Sequence, residues 1–128
     1  VLMCTINALC AADEVIVPIT LDNWALDGVE TITAQLEELR ALNNKLKIAG
    51  ILLTNYKKTA ENEVAEKWLR ENCRYKVFET KIRRSDKAVA ATYYKKPLEK
   101  YSPRSAAAIT YRKFVNEYLQ EGVTENGI

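Results

Sequence analysis

Two kinds of apolar pattern alternate along this chain. Short unbroken apolar runs read as buried strands, and longer stretches with an apolar residue every third or fourth position read as amphipathic helices. Val15-Ile16-Val17-Pro18-Ile19 is a β-branched run of the first kind and predicts a strand covered on both faces, as in a parallel sheet. Pro18 fits there only where no ladder hydrogen bond is needed. Residues 47–54, Lys-Ile-Ala-Gly-Ile-Leu-Leu-Thr, predict a second buried strand. Residues 76–82 alternate more and predict a third strand nearer an edge.

The helical stretches lie between and around these runs. Residues 4–12 are small and apolar and predict a short, mostly buried helix. Asp22 or Asn23 can cap a helix over residues 23–42, with Leu26, Val29, Ile32, Leu36 and Leu39 as one stripe and Asn43-Asn44 as its break. A helix over 60–72 would turn Val64, Ala65, Trp68 and Leu69 inward, and the spacing of Trp24 and Trp68 suits core packing. A short helix over 86–92 leads to an extended link punctuated by Lys96-Pro97 and Ser102-Pro103. Pro103 suits the first turn of a last helix running to about Leu119. Its inward stripe would be Ala107 or Ala108, Tyr111, Phe114 or Val115, and Tyr118. The segment 1–121 reads as one folded unit and 122–128 as a flexible tail.

Strand, helix, strand, helix, strand is the grammar of an α/β fold with a parallel sheet flanked by helices. Three strands are too few to cover both edges of such a sheet. The chain therefore reads as part of a larger fold, and by itself it should associate, for instance with another copy.

Charge adds a second layer. The chain has 128 residues and a net charge of +2. Residues 81–104 hold eight bases (Lys81, Arg83, Arg84, Lys87, Lys95, Lys96, Lys100, Arg104) against Asp86 and Glu99, a local +6. Such asymmetry suits an anionic ligand or partner, and equally a solvated surface. Histidine is absent, which removes Ser-His-Asp and Cys-His nucleophile systems and the common zinc sites. Cys4, Cys10 and Cys73 form no C-x-x-C pair and read as buried free thiols. No apolar run approaches the roughly 20 residues of a membrane helix.

A family resemblance rests on an ordered set of segments. Thr5-Ile6-Asn7-Ala8-Leu9-Cys10-Ala11-Ala12-Asp13-Glu14-Val15-Ile16-Val17-Pro18 resembles the stretch just after the Walker B region of ParA, Soj and MinD-like proteins. Ala25-Leu26-Asp27-Gly28, the strand 45–54, and Val77-Phe78-Glu79-Thr80-Lys81-Ile82 with Arg83-Arg84-Ser85 follow in family order. Lys96-Pro97, Tyr101-Ser102-Pro103-Arg104-Ser105, Ala108 and Tyr111 resemble the family's closing pattern. Arg83 stands where the family commonly has proline, which puts the local backbone path of that turn in question.

The resemblance implies a partial P-loop NTPase fold, three layers α/β/α, without its N-terminal phosphate-binding half. It implies an intact parent that uses ATP and Mg2+, dimerises on ATP, binds DNA without sequence preference and answers to a ParB-like centromere-binding protein. Such a parent would be a cytoplasmic, nucleoid-associated homodimer that segregates chromosomes or plasmids, with no membrane partner. The sequence contains no G-x-x-x-x-G-K-[ST], so these residues alone should not hydrolyse ATP or hold it tightly. By resemblance, Thr54, Asn55, Arg83, Arg84 and Ser85 would form the wall against the adenine. An Asn amide offers one donor and one acceptor to a purine edge, although Asn55 reads equally as a turn residue. Arg40, Lys57, Lys58, Lys67, Arg70, Lys95, Lys96, Lys100 and Arg104 would contact DNA phosphates.

Three alternatives stay open at this level. A MinD-like membrane regulator would need a basic amphipathic C-terminal helix, whereas this end carries Glu117, Glu121 and Glu125 with no base after Lys113. A non-catalytic binding or dimerisation module could share the fold. A receiver-like or flavodoxin-like domain would place acids at strand ends, but Asp13-Glu14 precedes a strand.

Overall fold

A computed structural model describes residues 3–21 and 25–125, with side chains for 3–21 and 27–121. In chain order it has α1 (Met3–Ala11), β1 (Glu14–Thr20), α2 (Ala25–Arg40), β2 (Lys47–Thr54), α3 (Ala60–Asn72), α4 (Asp86–Tyr93), α5 (Leu98–Tyr101) and α6 (Ala106–Glu125). The two apolar runs pair in parallel, from Glu14 beside Lys47 to Thr20 beside Thr54. The register shifts between Val15 and Ile16, whose partners are Ile48 and Gly50, so Ala49 is the extra residue.

Alternation along the strands sends side chains to two cores. Val17, Ile19, Ile51 and Leu53 pack with Val29 and Leu36 of α2 and Leu69 of α3. Leu52 points the other way and joins Phe78, Ile82 and Phe114 of α6. Phe78 meets Phe114 edge to face, with ring centroids 4.9 Å apart. The layers are therefore α2 and α3, then the sheet, then α6.

The third predicted strand is the largest departure. Residues 76–84 meet β2 and Tyr56 just beyond it through isolated bridges, Ile51 to Val77 and Tyr56 to Arg83, rather than a continuous ladder. The reason lies in side chains that take the backbone groups a ladder would use. Glu117 of α6 accepts from the amides of Glu79 (3.0 Å) and Thr80 (2.8 Å). Arg70 of α3 donates to the carbonyls of Val77 (3.0 Å) and Phe78 (2.8 Å). The segment is thus held by both helical layers and its edge is closed by side chains.

Smaller corrections share one cause: each helix buries a narrower line than its apolar pattern suggests. Helix α1 has no buried residue, and only Leu9 leans on the core. On β1, Ile16 is half-buried and Pro18 exposed, so the α6-side face is only partly covered. On α3, Leu69 is buried while Val64 is 70% and Trp68 46% exposed. One residue step turns a helix by about 100°, which takes 64 and 68 off the line of 65 and 69. On α2, Val29 and Leu36 are buried and Ile32 is exposed. The proposed capping residues Asp22 and Asn23, together with Trp24, lie outside the described residues. The cysteines are free, but Cys4 and Cys10 are exposed and Cys73 half-buried.

The last third differs in two ways. The link contains a helical turn, α5, and the final helix starts after Ser105, not at Pro103. Ser105 accepts from the amide of Ala108 through its hydroxyl (3.3 Å) and from Ile109 through its carbonyl (3.0 Å), the geometry of an N-cap. On α6 the inward residues are Ala107, Ala108, Thr110 and Phe114, with Tyr118 half-buried; Tyr111 and Val115 face out. The helical backbone passes Gly122 and reaches Glu125.

Candidate nucleotide-side site

The C-terminal end of β2 is where a parallel sheet presents its open edge to ligands. Thr54 closes the strand, its hydroxyl 3.4 Å from both the Thr20 hydroxyl and the Ile19 carbonyl. Asn55 follows with φ 52, a left-handed conformation that Asn tolerates better than most residues. That turn drops Tyr56 into the fold, where it is buried. The Tyr56 amide donates to the Ile82 carbonyl (2.9 Å), and its carbonyl accepts from Arg84 (2.9 Å). The Arg83 amide donates to the Thr110 hydroxyl (3.1 Å). Ser85 caps α4 by accepting from Lys87.

These bonds draw two distant segments into one cavity of about 410 Å³. Lys57 and Lys58 line one side, Arg83, Arg84 and Ser85 the other, and Asp86 is its acid. All the residues nominated for the base wall therefore lie on two adjoining turns, although Thr54 and Asn55 border the cavity rather than line it. A second groove of about 660 Å³ shares Tyr56, Lys58 and Arg83 and runs along α6 past Lys113 and Asn116. Four cations against one acid suit an anionic or base-bearing ligand. Among the described residues, no group of three or more His, Cys, Asp or Glu converges on a metal position. The Lys, Arg and Ser donors of the cavity are chemically compatible with a nucleotide, with Thr54 and Asn55 at its border.

Next to Tyr56, which lines the cavity, sits a polar network that the sequence did not reveal. Glu66 of α3 bridges Arg70 (2.9 Å) and Lys81 (3.0 Å). The Lys81 ammonium also lies 4.5 Å from the centroid of the Tyr56 ring. Burial pushes the Glu66 carboxyl up, but the bonds from Lys81 and Arg70 outweigh it and hold the group below its usual range. Burial, with Glu66 and Glu63 nearby, raises the Tyr56 phenol against the opposing pull of Lys81. Lys81 counts in sequence only as one of the bases of 81–104, and Tyr56 and Thr110 follow Asn55 and Ala108 by one and two positions, yet only the fold shows their roles.

The nine bases nominated for DNA divide into unlike groups. Arg70 is committed to Glu66 and two carbonyls and acts as a structural clamp. Arg40 pairs with Glu37 at 3.4 Å on α2, and Lys58 approaches Glu63 at 4.0 Å. Lys57 and Lys58 belong to the cavity, and Lys67 is exposed on α3. Lys95, Lys96, Lys100 and Arg104 are exposed together on the lobe formed by α4, α5 and the following turn.

A family model described as an AAA domain matches residues 1–48. The chromosome-partitioning ATPase Soj of Thermus thermophilus is 38% identical over 117 residues, covering 90% of this chain and 47% of that protein. Over these residues the chain is similar to the ParA/Soj partition ATPases. The ParA-family match recurs with the chromosome partitioning protein ParA of Caulobacter vibrioides, 32% identical over 117 residues, or 90% of this chain and 44% of that one. The sporulation initiation inhibitor protein Soj of Bacillus subtilis is 34% identical over 122 residues, covering 92% of this chain and 47% of that protein. The chain spans about half the length of the curated relatives it matches. Among solved structures, cobyrinic acid a,c-diamide synthase from Mycobacterium smegmatis superposes with a TM-score of 0.68 at 25% identity, covering 88% of this chain and 40% of that one. The parallel sheet between helices is thus part of a P-loop NTPase-type α/β/α fold. No helix among the described residues is long and apolar enough to cross a membrane.

Proposed function

We propose that this chain is the base-side part of a chromosome- or plasmid-partitioning ATPase. The observation that carries the reading is the 38% identity to a chromosome-partitioning ATPase across nine-tenths of the chain. The cationic cavity at the end of β2 supports it, since its two turns are those nominated for the adenine wall. Asn55 presents its amide to the purine edge, and Arg83, Arg84 and Ser85 form the opposite lip. Bound ATP supplies the phosphoryl group whose hydrolysis resets the protein, and Mg2+ accompanies those phosphates. In this reading the intact protein is a cytoplasmic homodimer that binds DNA without sequence preference and responds to a ParB-like partner. Lys57, Lys58 and the lobe cations Lys95, Lys96, Lys100 and Arg104 supply phosphate contacts, which salt weakens.

The test compares this chain with the same chain extended upstream through its native reading frame. ATP turnover and duplex binding are followed across a salt series. The expected result is turnover and nucleotide-dependent duplex binding by the extended protein, with neither in these 128 residues alone. An extended protein that carries no phosphate-binding loop, or is inert, would make this a binding or dimerisation module on the same fold.

A further inference from the structure

The lobe built from α4 and α5 carries aromatic rings that the protein core does not use. Tyr93 is 83% and Tyr94 64% exposed. Tyr94 lies against Tyr101 with centroids 5.4 Å apart and planes within 22°. A parallel ring pair at a surface leaves an outer face open to a third planar group. Lys95, Lys96 and Lys100 are exposed around the same turn. The acid between them, Glu99, is taken by Arg112, whose Nη1 lies 2.6 Å from both carboxylate oxygens. The turn itself is unusual. Lys95 has φ 53, where glycine ordinarily ends a helix and an L side chain is strained. A strained backbone that holds a cation beside open rings points to recognition more than to packing.

We propose that this lobe binds single-stranded nucleic acid, its tyrosines stacking on unpaired bases and its lysines holding the flanking phosphates. A duplex hides its base faces, so exposed rings gain nothing from it. An anionic bilayer fits less well, because α4 has eight residues and Val89 is its one large exposed aliphatic side chain. This binding shares Lys95, Lys96 and Lys100 with the duplex contacts proposed above and differs from them in using the tyrosine rings and in needing no nucleotide.

Fluorescence anisotropy without nucleotide, using oligo(dT), a duplex of equal length and heparin, tests it, with co-sedimentation on phosphatidylserine vesicles alongside. Oligo(dT) should bind more tightly than either polyanion lacking open bases. Tyr93→Ala and Tyr94→Ala should each weaken oligo(dT) binding about tenfold, leave heparin unchanged, and be rescued by Tyr→Phe. Lys95→Gly should raise the thermal midpoint yet flatten the salt dependence for oligo(dT) by roughly 0.7 log units per log unit of salt. Equal binding of oligo(dT) and heparin, with no response to the tyrosine variants, would overturn the proposal in favour of a plain charged surface. Tyrosine variants that lose vesicle binding alone would overturn it in favour of a membrane surface. The partition reading is tested separately, by ATP turnover and the nucleotide dependence of duplex binding in the extended protein.

Discussion

The carboxylate of Glu117 lies 2.8 Å from the backbone amide of Thr80, 37 residues away in sequence, and takes the Glu79 amide as well. Burial works against its ionisation, but the bonds from Thr80 and Glu79 and the charge of Lys76 outweigh it, so the carboxyl titrates below its usual 4.5. A depressed folded value means the stabilisation is complete above about pH 4.5 and is lost as pH falls through the folded pKa. Glu117→Ala, which leaves two amides without this partner, should cost about 1–3 kcal/mol in urea denaturation at pH 7. Its deficit relative to the parent should shrink in acid.

Glu66 should behave as the keystone of the polar network around Tyr56. Its side chain is 13% exposed and pairs with two cations. Glu66→Gln keeps the shape and removes the charge, with an expected loss of about 1–3 kcal/mol. A double-mutant cycle with Lys81→Met should show coupling, because the two residues share one contact. Independent effects would mean that Lys81 is held by the Tyr56 ring instead.

Gly50 has no room for a side chain. An added Cβ would stand 2.9 Å from the Phe78 ring and 3.0 Å from the Lys76 carbonyl oxygen, at φ +157. Gly50→Ala should therefore destabilise by about 1–3 kcal/mol, read from the urea midpoint. Pairing it with Phe78→Leu should recover part of the loss if the ring is the obstacle.

Asn43 ties α1 to the rest of the molecule. Its amide nitrogen donates to the carbonyls of Leu9 (3.0 Å), Cys10 (3.1 Å) and Ala12 (3.0 Å). Asn43→Ala should cost about 1 kcal/mol. Hydrogen exchange should show the α1 amides losing protection first, since that helix has no buried residue of its own.

Asn55 can be separated into its two roles. At φ 52, Asn55→Gly should match or exceed the parent in stability, while Asn55→Ala should lose about 1 kcal/mol. If the amide also contacts the purine, both variants should weaken nucleotide binding in the extended protein. Full binding by the glycine variant would leave Asn55 as a turn residue alone.

Local signals carried much of this protein. The bounds of β2 and α3 follow from unbroken apolar runs and from a helical stretch capped by Thr59, whose hydroxyl accepts from Asn62. Such elements are written in neighbouring residues and need no distant partner. The two turns of the candidate site were legible through family resemblance, and the charge excess of 81–104 through simple counting.

What the sequence alone determined is the α/β order, the parallel pairing and the family resemblance. Each of these depends on periodicity or on ordered local segments. The tertiary structure decided which residue of each apolar pair turns inward, as with Leu69 over Trp68 and Phe114 over Val115. It also decided that residues 76–84 are no continuous strand, because Glu117 and Arg70 reach them from opposite layers. Those outcomes depend on groups far apart in the chain, whose meeting no local pattern encodes.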